Sequence, residues 1–241
     1  MKAVILAAGK GTRMKHLSAY LPKPMLTVKG KPILAWVIEG LGGAGISEYC
    51  IITGYLAEPI EKSFGDGRQR GIHIEYRRQP EPEGTARAAE LARAFVRDDP
   101  FVLTYGDILT APEHYQALCA TFEREKPDGA IGVRNGGDLS KGGAALFDAN
   151  FSLVNIVEKP TGHAPVGAWF NTGVYALTPT IFQFTPHIAK SLRGEYELTD
   201  ALVAMVNAGH RIKGVEFAGY WADIGSPEAL KQAEQMITPA V

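Results

Sequence analysis

The run Ala3-Val4-Ile5-Leu6-Ala7-Ala8 contains no polar residue and is stopped by Gly9-Lys10-Gly11. A β-prone stretch without alternation must be buried on both faces, which is the place of a central strand in a parallel sheet covered by helices on either side. The next segment supplies such a cover: Pro32 opens a helix whose apolar positions Leu34, Val37, Ile38 and Leu41 recur at i, i+3, i+4 and i+7. The alternation then continues. A strand over 49–53, a helix over 58–64 and a half-exposed strand through Ile72, Ile74 and Tyr76 come first. One helix presenting Ala88, Leu91, Ala92 and Phe95 follows, and then a buried strand over 101–105 that ends at Gly106-Asp107. That order predicts an α/β fold with a mostly parallel, doubly wound, Rossmann-like central sheet and right-handed crossovers.

The later half reads differently. After a helix over 112–126, short β-like stretches near 130–134, 143–148, 153–157 and 172–177 have little helix between them, which predicts a small antiparallel lobe on the parallel core. A helix with Leu198, Leu202, Met205 and Val206, a strand over 212–217 and a last helix capped by Ser226 with Pro227 in its first turn complete the chain. The expected organisation is a single domain over 1–241, with one half over about 1–110 and the lobe and closing elements over about 111–241.

Composition narrows the functions. At 241 residues and 46% hydrophobic, the chain can bury a full core without staples. A net charge of −1 with no basic stripe argues against a nucleic-acid or membrane partner recognised by bulk electrostatics, and Arg68, Arg70, Arg77 and Arg78 read as a solvated face. Cys50 and Cys119 lie far apart without a CxxC partner, so neither a disulfide framework nor a zinc site is indicated and a reducing cytoplasm is expected. The apolar opening is shorter than the roughly 7–15 residues of a signal core. No run approaches the roughly 18 residues of a membrane span.

In an open α/β sheet ligands sit beyond the carboxyl ends of the strands, so the loop after the first strand is the expected binding place. Its glycines would let backbone N–H groups approach phosphates, with Lys10 and Arg13 adding charge. Met14 replaces the third glycine of a dinucleotide fingerprint, and no Gly-Lys-Ser/Thr completes a Walker loop. A tight turn with two solvated cations accounts for the same residues, so the loop alone leaves both readings open.

The blocks LAAGKGTRM at 6–14, PKPML at 22–26, GKPIL at 30–34, QPEPEGTARA at 79–88 and YGDI at 105–108 continue into VEKP at 157–160, NTGVYAL at 171–177, EYELTDAL at 195–202 and WADIGSPEAL at 221–230. In this order they resemble the sugar-nucleotide pyrophosphorylases, among them the glucose-1-phosphate thymidylyl- and uridylyltransferases and the uridylyltransferase part of the bifunctional N-acetylglucosamine-1-phosphate enzymes. The resemblance implies a nucleotide-diphospho-sugar transferase fold with a nucleotide-binding half and a sugar-binding lobe. The reaction it implies joins a sugar 1-phosphate to the α-phosphorus of a nucleoside triphosphate, releases pyrophosphate and depends on Mg²⁺. By that resemblance Arg13, Lys23, Asp107 and Asp223 are the catalytic set. Asp107 and Asp223 would hold the metal, Lys23 would face the phosphates and Arg13 would grip the pyrophosphate.

The nucleotide would meet Leu6, Ala8, Gly9, Lys10, Gly11, Thr12, Gln79, Gly84 and Thr85, and the sugar phosphate would meet Gly143, Glu158, Lys159, Asn171 and Thr172. The Gln79 amide offers a donor and an acceptor to a 4-oxo pyrimidine, which favours UTP or dTTP with a hexose-1-phosphate. GTP or CTP with mannose-1-phosphate, heptose-1-phosphate or a small phosphate or phosphonate is the alternative on the same fold. A non-catalytic nucleotide-sugar sensor is the third reading; it should have lost the loop cations or the aspartates, which here are present. His16 and Arg87 depart from the family pattern, the first standing where proline is usual and the second where a small or amide residue is commoner. With no β-helix extension after the last helix, a second activity is not expected, and monomer and homo-oligomer both stay open.

Overall fold

The computed structural model describes residues 1–11, 14, 20–161 and 165–237. In chain order the elements are β1 (Lys2–Leu6), β2 (Thr27–Val28), β3 (Lys31–Pro32), α1 (Ile33–Gly43), β4 (Glu48–Thr53), α2 (Ala57–Phe64), β5 (His73–Arg78), α3 (Thr85–Glu90), α4 (Arg93–Val96) and β6 (Phe101–Tyr105). Then come β7 (Ile108–Thr110), α5 (Pro112–Glu125), β8 (Gly129–Arg134), β9 (Gly143–Phe147), β10 (Leu153–Glu158), β11 (Trp169–Leu177), α6 (Leu198–Asn207), β12 (Ile212–Glu216), β13 (Trp221–Asp223) and α7 (Pro227–Met236). Strands β6, β1, β4 and β5 lie side by side and parallel, so β1 is central.

The two faces of β1 explain its lack of alternation. Ala3, Ile5 and Ala7 join the core under α1, α2 and α5, with Leu34, Val37, Leu41, Ile60, Leu118 and Phe122. Val4 and Leu6 join a second core under α3, α4 and α6, with Ala88, Phe95, Leu198, Leu202 and Met205. Each Val, Ile, Leu, Phe or Met side chain among them contributes about 1.5–3 kcal/mol by leaving water. A polar residue anywhere from Ala3 to Leu6 would therefore enter one core or the other.

The antiparallel strands extend this same sheet, which has nine strands. The joint is β11. Along Val174–Leu177 it pairs antiparallel with β6, whereas Trp169 and Phe170 pair with β9 on the same side, and β8 runs along its other edge. The register of the β8 pairing slips between Asn171 and Tyr175, where Gly173 adopts φ +75°. β12 completes that flank parallel to β8.

Four short strands escape the sequence pattern because each is only two or three residues long: β2 pairs with β3, and β7 with β13. The β7–β13 ribbon is wedged between cores, with Ile108 in the first and Leu109 and Ile224 in a third that includes Leu26, Ile33 and Ala233. Two expectations shift. The strand expected over 3–8 ends at Leu6, and the single helix carrying Ala88 to Phe95 divides. Leu91 and Ala92 there bond three residues back instead of four, tightening the turn while keeping Ala88, Ala92 and Phe95 buried. Ser226 caps α7 as its position predicts, accepting from the Ala229 N–H at 3.2 Å. On the arginine face, Arg77 pairs with Glu75 and Arg78 with Glu61. No helix among the described residues is long and apolar enough to cross a membrane.

A methyl group on Gly173 would stand 2.6 Å from Ile108 Cδ1 and 2.8 Å from Tyr105, besides requiring a positive φ. Gly209 also has a positive φ but open space around it. Gly173→Ala is thus expected to lower Tm by roughly 2–12 °C, from about 1–3 kcal/mol of strain, and by more than Gly209→Ala. Equal melting shifts for the two variants would show that the packing at the slip carries no weight.

Candidate active site

The parallel strands β1, β4 and β6 end together, and the loops leaving those ends build the site. Gly106 N–H donates to Leu6 O at 2.8 Å and Tyr55 N–H to Ala8 O at 3.4 Å, so the glycine loop is anchored from both sides. Gly11 takes φ +62°, and a methyl on Gly9 would meet nothing within 4 Å, which leaves that backbone open. Consecutive loop residues line different hollows: Gly9 faces Lys23 and Asp107, whereas Ala8 and Lys10 face Tyr55, Gln79 and Pro80. Thr12, Arg13 and His16 lie outside the described residues.

Lys23 comes from a tight turn over Lys23–Met25 that follows Pro22 and contains Pro24, in which Met25 N–H bonds to Pro22 O at 2.8 Å. Its ammonium donates to Asp107 Oδ2 and stands 3.3 Å from Asp223 Oδ1. Asp107 follows β6 directly and Asp223 ends β13; the backbone joins them where Ile224 N–H donates to Asp107 O at 2.9 Å. The β7–β13 pairing that the sequence pattern hides is thus what unites residues 107 and 223. Burial acts to lower the Lys23 pKa, but the two carboxylates outweigh it and hold the ammonium above its ordinary value. Lys23 is therefore a fixed cation.

Asp107 and Asp223 also offer two hard oxygen donors on one wall of a polar cleft, which fits a hard divalent cation. Among the described residues no group of three or more His, Cys, Asp and Glu side chains is placed to hold a metal ion by itself. Further ligands would come from phosphate oxygens and water, the usual habit of Mg²⁺.

The hollow containing Gln79 has a volume of about 350 Å³. Gln79 N–H continues the sheet to Thr53 O at 2.7 Å, and its side-chain Nε2 donates to Gly84 O at 3.2 Å, which sets the amide's orientation. Gly84 has φ +114°, and a Cβ there would lie 2.5 Å from Tyr196 O, so this position excludes a side chain. The close approach lets Tyr196 N–H bond to Glu83 O at 2.8 Å and Ala86 N–H to Tyr196 O at 2.9 Å. Leu198 N–H donates to Thr85 Oγ1 at 2.9 Å, so Gly84 and Thr85 brace the wall, and Thr85 lines the cleft on the Asp107 side instead of the Gln79 hollow. Arg87 stacks on Tyr196, 4.2 Å from the ring centroid, and does not line the Gln79 hollow.

On the other side of Asp107 a cleft of about 360 Å³ collects Gly143, Glu158, Lys159, Asn171 and Thr172. A methyl on Gly143 would press on the Asn171 side chain at 3.1 Å. Asn171 Oδ1 accepts from Gly173 N–H at 3.0 Å and Nδ2 donates to Tyr175 Oη at 2.6 Å, fixing the amide with one N–H left to offer. Thr172 lines the cleft while its side chain turns into the sheet, where the hydroxyl donates to Gly132 O at 2.7 Å, and its carbonyl accepts from Trp221 Nε1 at 3.0 Å. Glu158 Oε1 lies 3.7 Å from both Lys159 Nζ and Arg193 Nη1. Arg193 also pairs with Glu195 at 2.8 Å and with buried Glu197 at 3.4 Å. Burial raises the Glu197 carboxyl above its ordinary value despite Arg193.

Arg193, Glu195, Glu197, Tyr105 and Tyr175 line this cleft without having been singled out from sequence. The block EYELTDAL was the available signal. Which of its residues turn inward depends on how 191–197 folds back over β10.

Comparison with known proteins agrees with this architecture. The chain is 33% identical over 238 residues to the low-salt glycan biosynthesis nucleotidyltransferase Agl11 of Haloferax volcanii, covering 98% of this chain and 66% of that one. It is 32% identical over 239 residues to the UTP–glucose-1-phosphate uridylyltransferase AglF of the same organism, covering 98% and 96%. A Bacillus anthracis protein assigned as a glucose-1-phosphate thymidylyltransferase, crystallised with sucrose, superposes with a TM-score of 0.89 at 26% identity, covering 100% of this chain and 98% of that one. The nucleotidyl transferase family model matches residues 2–239, and the chain belongs to that family.

Proposed function

We propose that this protein transfers a nucleotidyl group from a nucleoside triphosphate, UTP or dTTP in preference, to a hexose-1-phosphate, giving a nucleotide-sugar and pyrophosphate in a Mg²⁺-dependent reaction. The observation that carries this reading is the meeting of Lys23, Asp107 and Asp223 where two hollows adjoin. A third hollow, on the far side of the glycine loop beside Ala8 and Lys10, presents an oriented amide from Gln79, and the cleft beside Asp107 presents Asn171, Glu158, Lys159 and Arg193. Relatives named as glucose-1-phosphate thymidylyltransferase and UTP–glucose-1-phosphate uridylyltransferase support the pyrimidine and hexose assignments.

The attacking oxygen belongs to a phosphate that is already an anion, so the site needs no strong general base and must instead align two polyanions. The residues present suit that task. Lys23 remains charged and answers the phosphate charge beside the open backbone of Gly9. Lys159 and Arg193 provide cations for the sugar phosphate, while Glu158 and the remaining N–H of Asn171 accept from and donate to neighbouring hydroxyls. Asp107 and Asp223 would hold Mg²⁺, which supplies charge neutralisation between the two phosphates. The free, buried Cys50 and Cys119 suit a reducing cytoplasm.

A pyrophosphate-release assay that crosses the common triphosphates with a panel of sugar 1-phosphates tests the reaction. Turnover with UTP or dTTP and a hexose-1-phosphate is expected; turnover only with GTP or CTP would discard Gln79 as base reader. Binding of a nucleotide-sugar without any turnover would make the protein a sensor. Asp107→Asn and Asp223→Asn are each expected to lower kcat by roughly 100-fold or more with the fold intact by circular dichroism, and wild-type rates in both would sink the mechanism. Gln79→Glu should raise KM for the triphosphate about tenfold, the worth of one hydrogen bond, and leave KM for the sugar phosphate unchanged.

A further inference from the structure

We infer that His114 is a positioning residue: its imidazole clamps the β7–β13 ribbon so that Asp107 and Asp223 keep their shared spacing. The inference rests on reading these two aspartates as the metal-holding pair. β7 and β13 have three residues each and pair only with one another, outside the nine-stranded sheet. A ribbon this short does not hold its own register in water. Yet its register, Asp223 opposite Ile108 and Trp221 opposite Thr110, determines how far apart the two carboxylates stand.

The end nearest the carboxylates is closed by Ile224 N–H on Asp107 O. At the other end Ala111 N–H donates to Tyr220 O at 3.2 Å, and His114 adds a side-chain clamp there. It projects from the first turn of α5, where it is 6% exposed and stacked on Phe217 with centroids 4.4 Å apart and planes 7° from parallel. Nε2 is 2.5 Å from Ala218 O, on the approach to β13, and Nδ1 is 2.5 Å from Thr110 Oγ1, the last residue of β7. A carbonyl only accepts, so Nε2 carries the hydrogen; Nδ1 then accepts from the Thr110 hydroxyl at 2.5 Å, the shorter of that hydroxyl's two contacts, the other being Tyr220 O at 3.3 Å. Burial and Arg134 keep the ring below its ordinary pKa against the pull of Glu113 and the Ala218 carbonyl, in keeping with this neutral tautomer.

One ring thus bonds to the end of β7 and to the segment that leads into β13. The helix behind it is anchored in the main core through Tyr115, Leu118 and Phe122. His114 consequently references both aspartates to the central sheet without approaching either of them.

The test compares His114→Phe, which keeps ring size and the stack but no nitrogen, with His114→Gln, which restores a donor toward Ala218 O. Thr110→Val removes the other bond and stands in should the phenylalanine variant not fold. Measured quantities are kcat, both KM values, the Mg²⁺ concentration at half-maximal pyrophosphate release, Tm, and Mn²⁺ binding by electron paramagnetic resonance with the triphosphate alone. His114→Phe is expected to raise the Mg²⁺ midpoint roughly tenfold, weaken Mn²⁺ binding in step, lower kcat and leave both KM values unchanged, with His114→Gln recovering most of the loss. A fall in Tm with unchanged Mg²⁺ midpoint and Mn²⁺ binding would reduce His114 to a structural role and overturn the inference. Wild-type protein that binds Mn²⁺ but turns over no substrate pair would defeat the proposed reaction alone, with the Mn²⁺ titration of the variants still deciding the role of His114. Wild-type protein that neither turns over nor binds Mn²⁺ would defeat both.

Discussion

A lysine ammonium almost removed from water between two carboxylates organises this protein. Lys23 is 8% exposed, and such a charge is tolerated only where opposite charge repays its lost hydration. Its partners lie 84 and 200 positions further along the chain. Three remote segments must therefore reach their native places together, and each does so by a different device. A proline-flanked turn presents Lys23, the end of β6 presents Asp107, and a three-residue ribbon presents Asp223. The same charges that make the junction costly when incomplete make it useful when phosphates arrive.

The second organising feature is the change of partner along β11. Beside β6 it belongs to the parallel core; beside β9 it belongs to the antiparallel extension. Between the two, the slip at Gly173 turns Asn171 to bond with Tyr175 and opens the sheet beside Asp107. The sugar-side cleft thus arises where one strand leaves its neighbour. Gly143 and Gly173 occur there because neighbouring side chains crowd the space a Cβ would take.

Much of this was legible in the chain. The unbroken apolar run of β1 meant burial on both faces, and the two cores split it residue by residue. The periodicity of α1 and the cap of α7 emerged as read. Long elements are legible because many residues repeat one signal. The β7–β13 ribbon was not, since three residues hold too few side chains to show a period and their pairing partner lies over a hundred positions away. For the same reason the chain alone does not mark Arg193, Glu195 and Glu197 as cleft residues, whereas Glu158 is indicated by the family resemblance of the block VEKP: their position depends on a loop folding back, not on a pattern.

What the sequence by itself determined is the alternation of buried strand and amphipathic helix, the glycine loop after β1, and the kinds of residue available for phosphate chemistry. Tertiary structure decided how those residues are used. It turned the Thr172 hydroxyl into the sheet, aimed the Gln79 amide at Gly84, stacked Arg87 on Tyr196 and gathered three carboxylates around Arg193. The physical reason is that burial pattern is a local property summed along the chain, whereas a hydrogen bond or an ion pair depends on the position of its partner, and that partner is set only when distant segments pack.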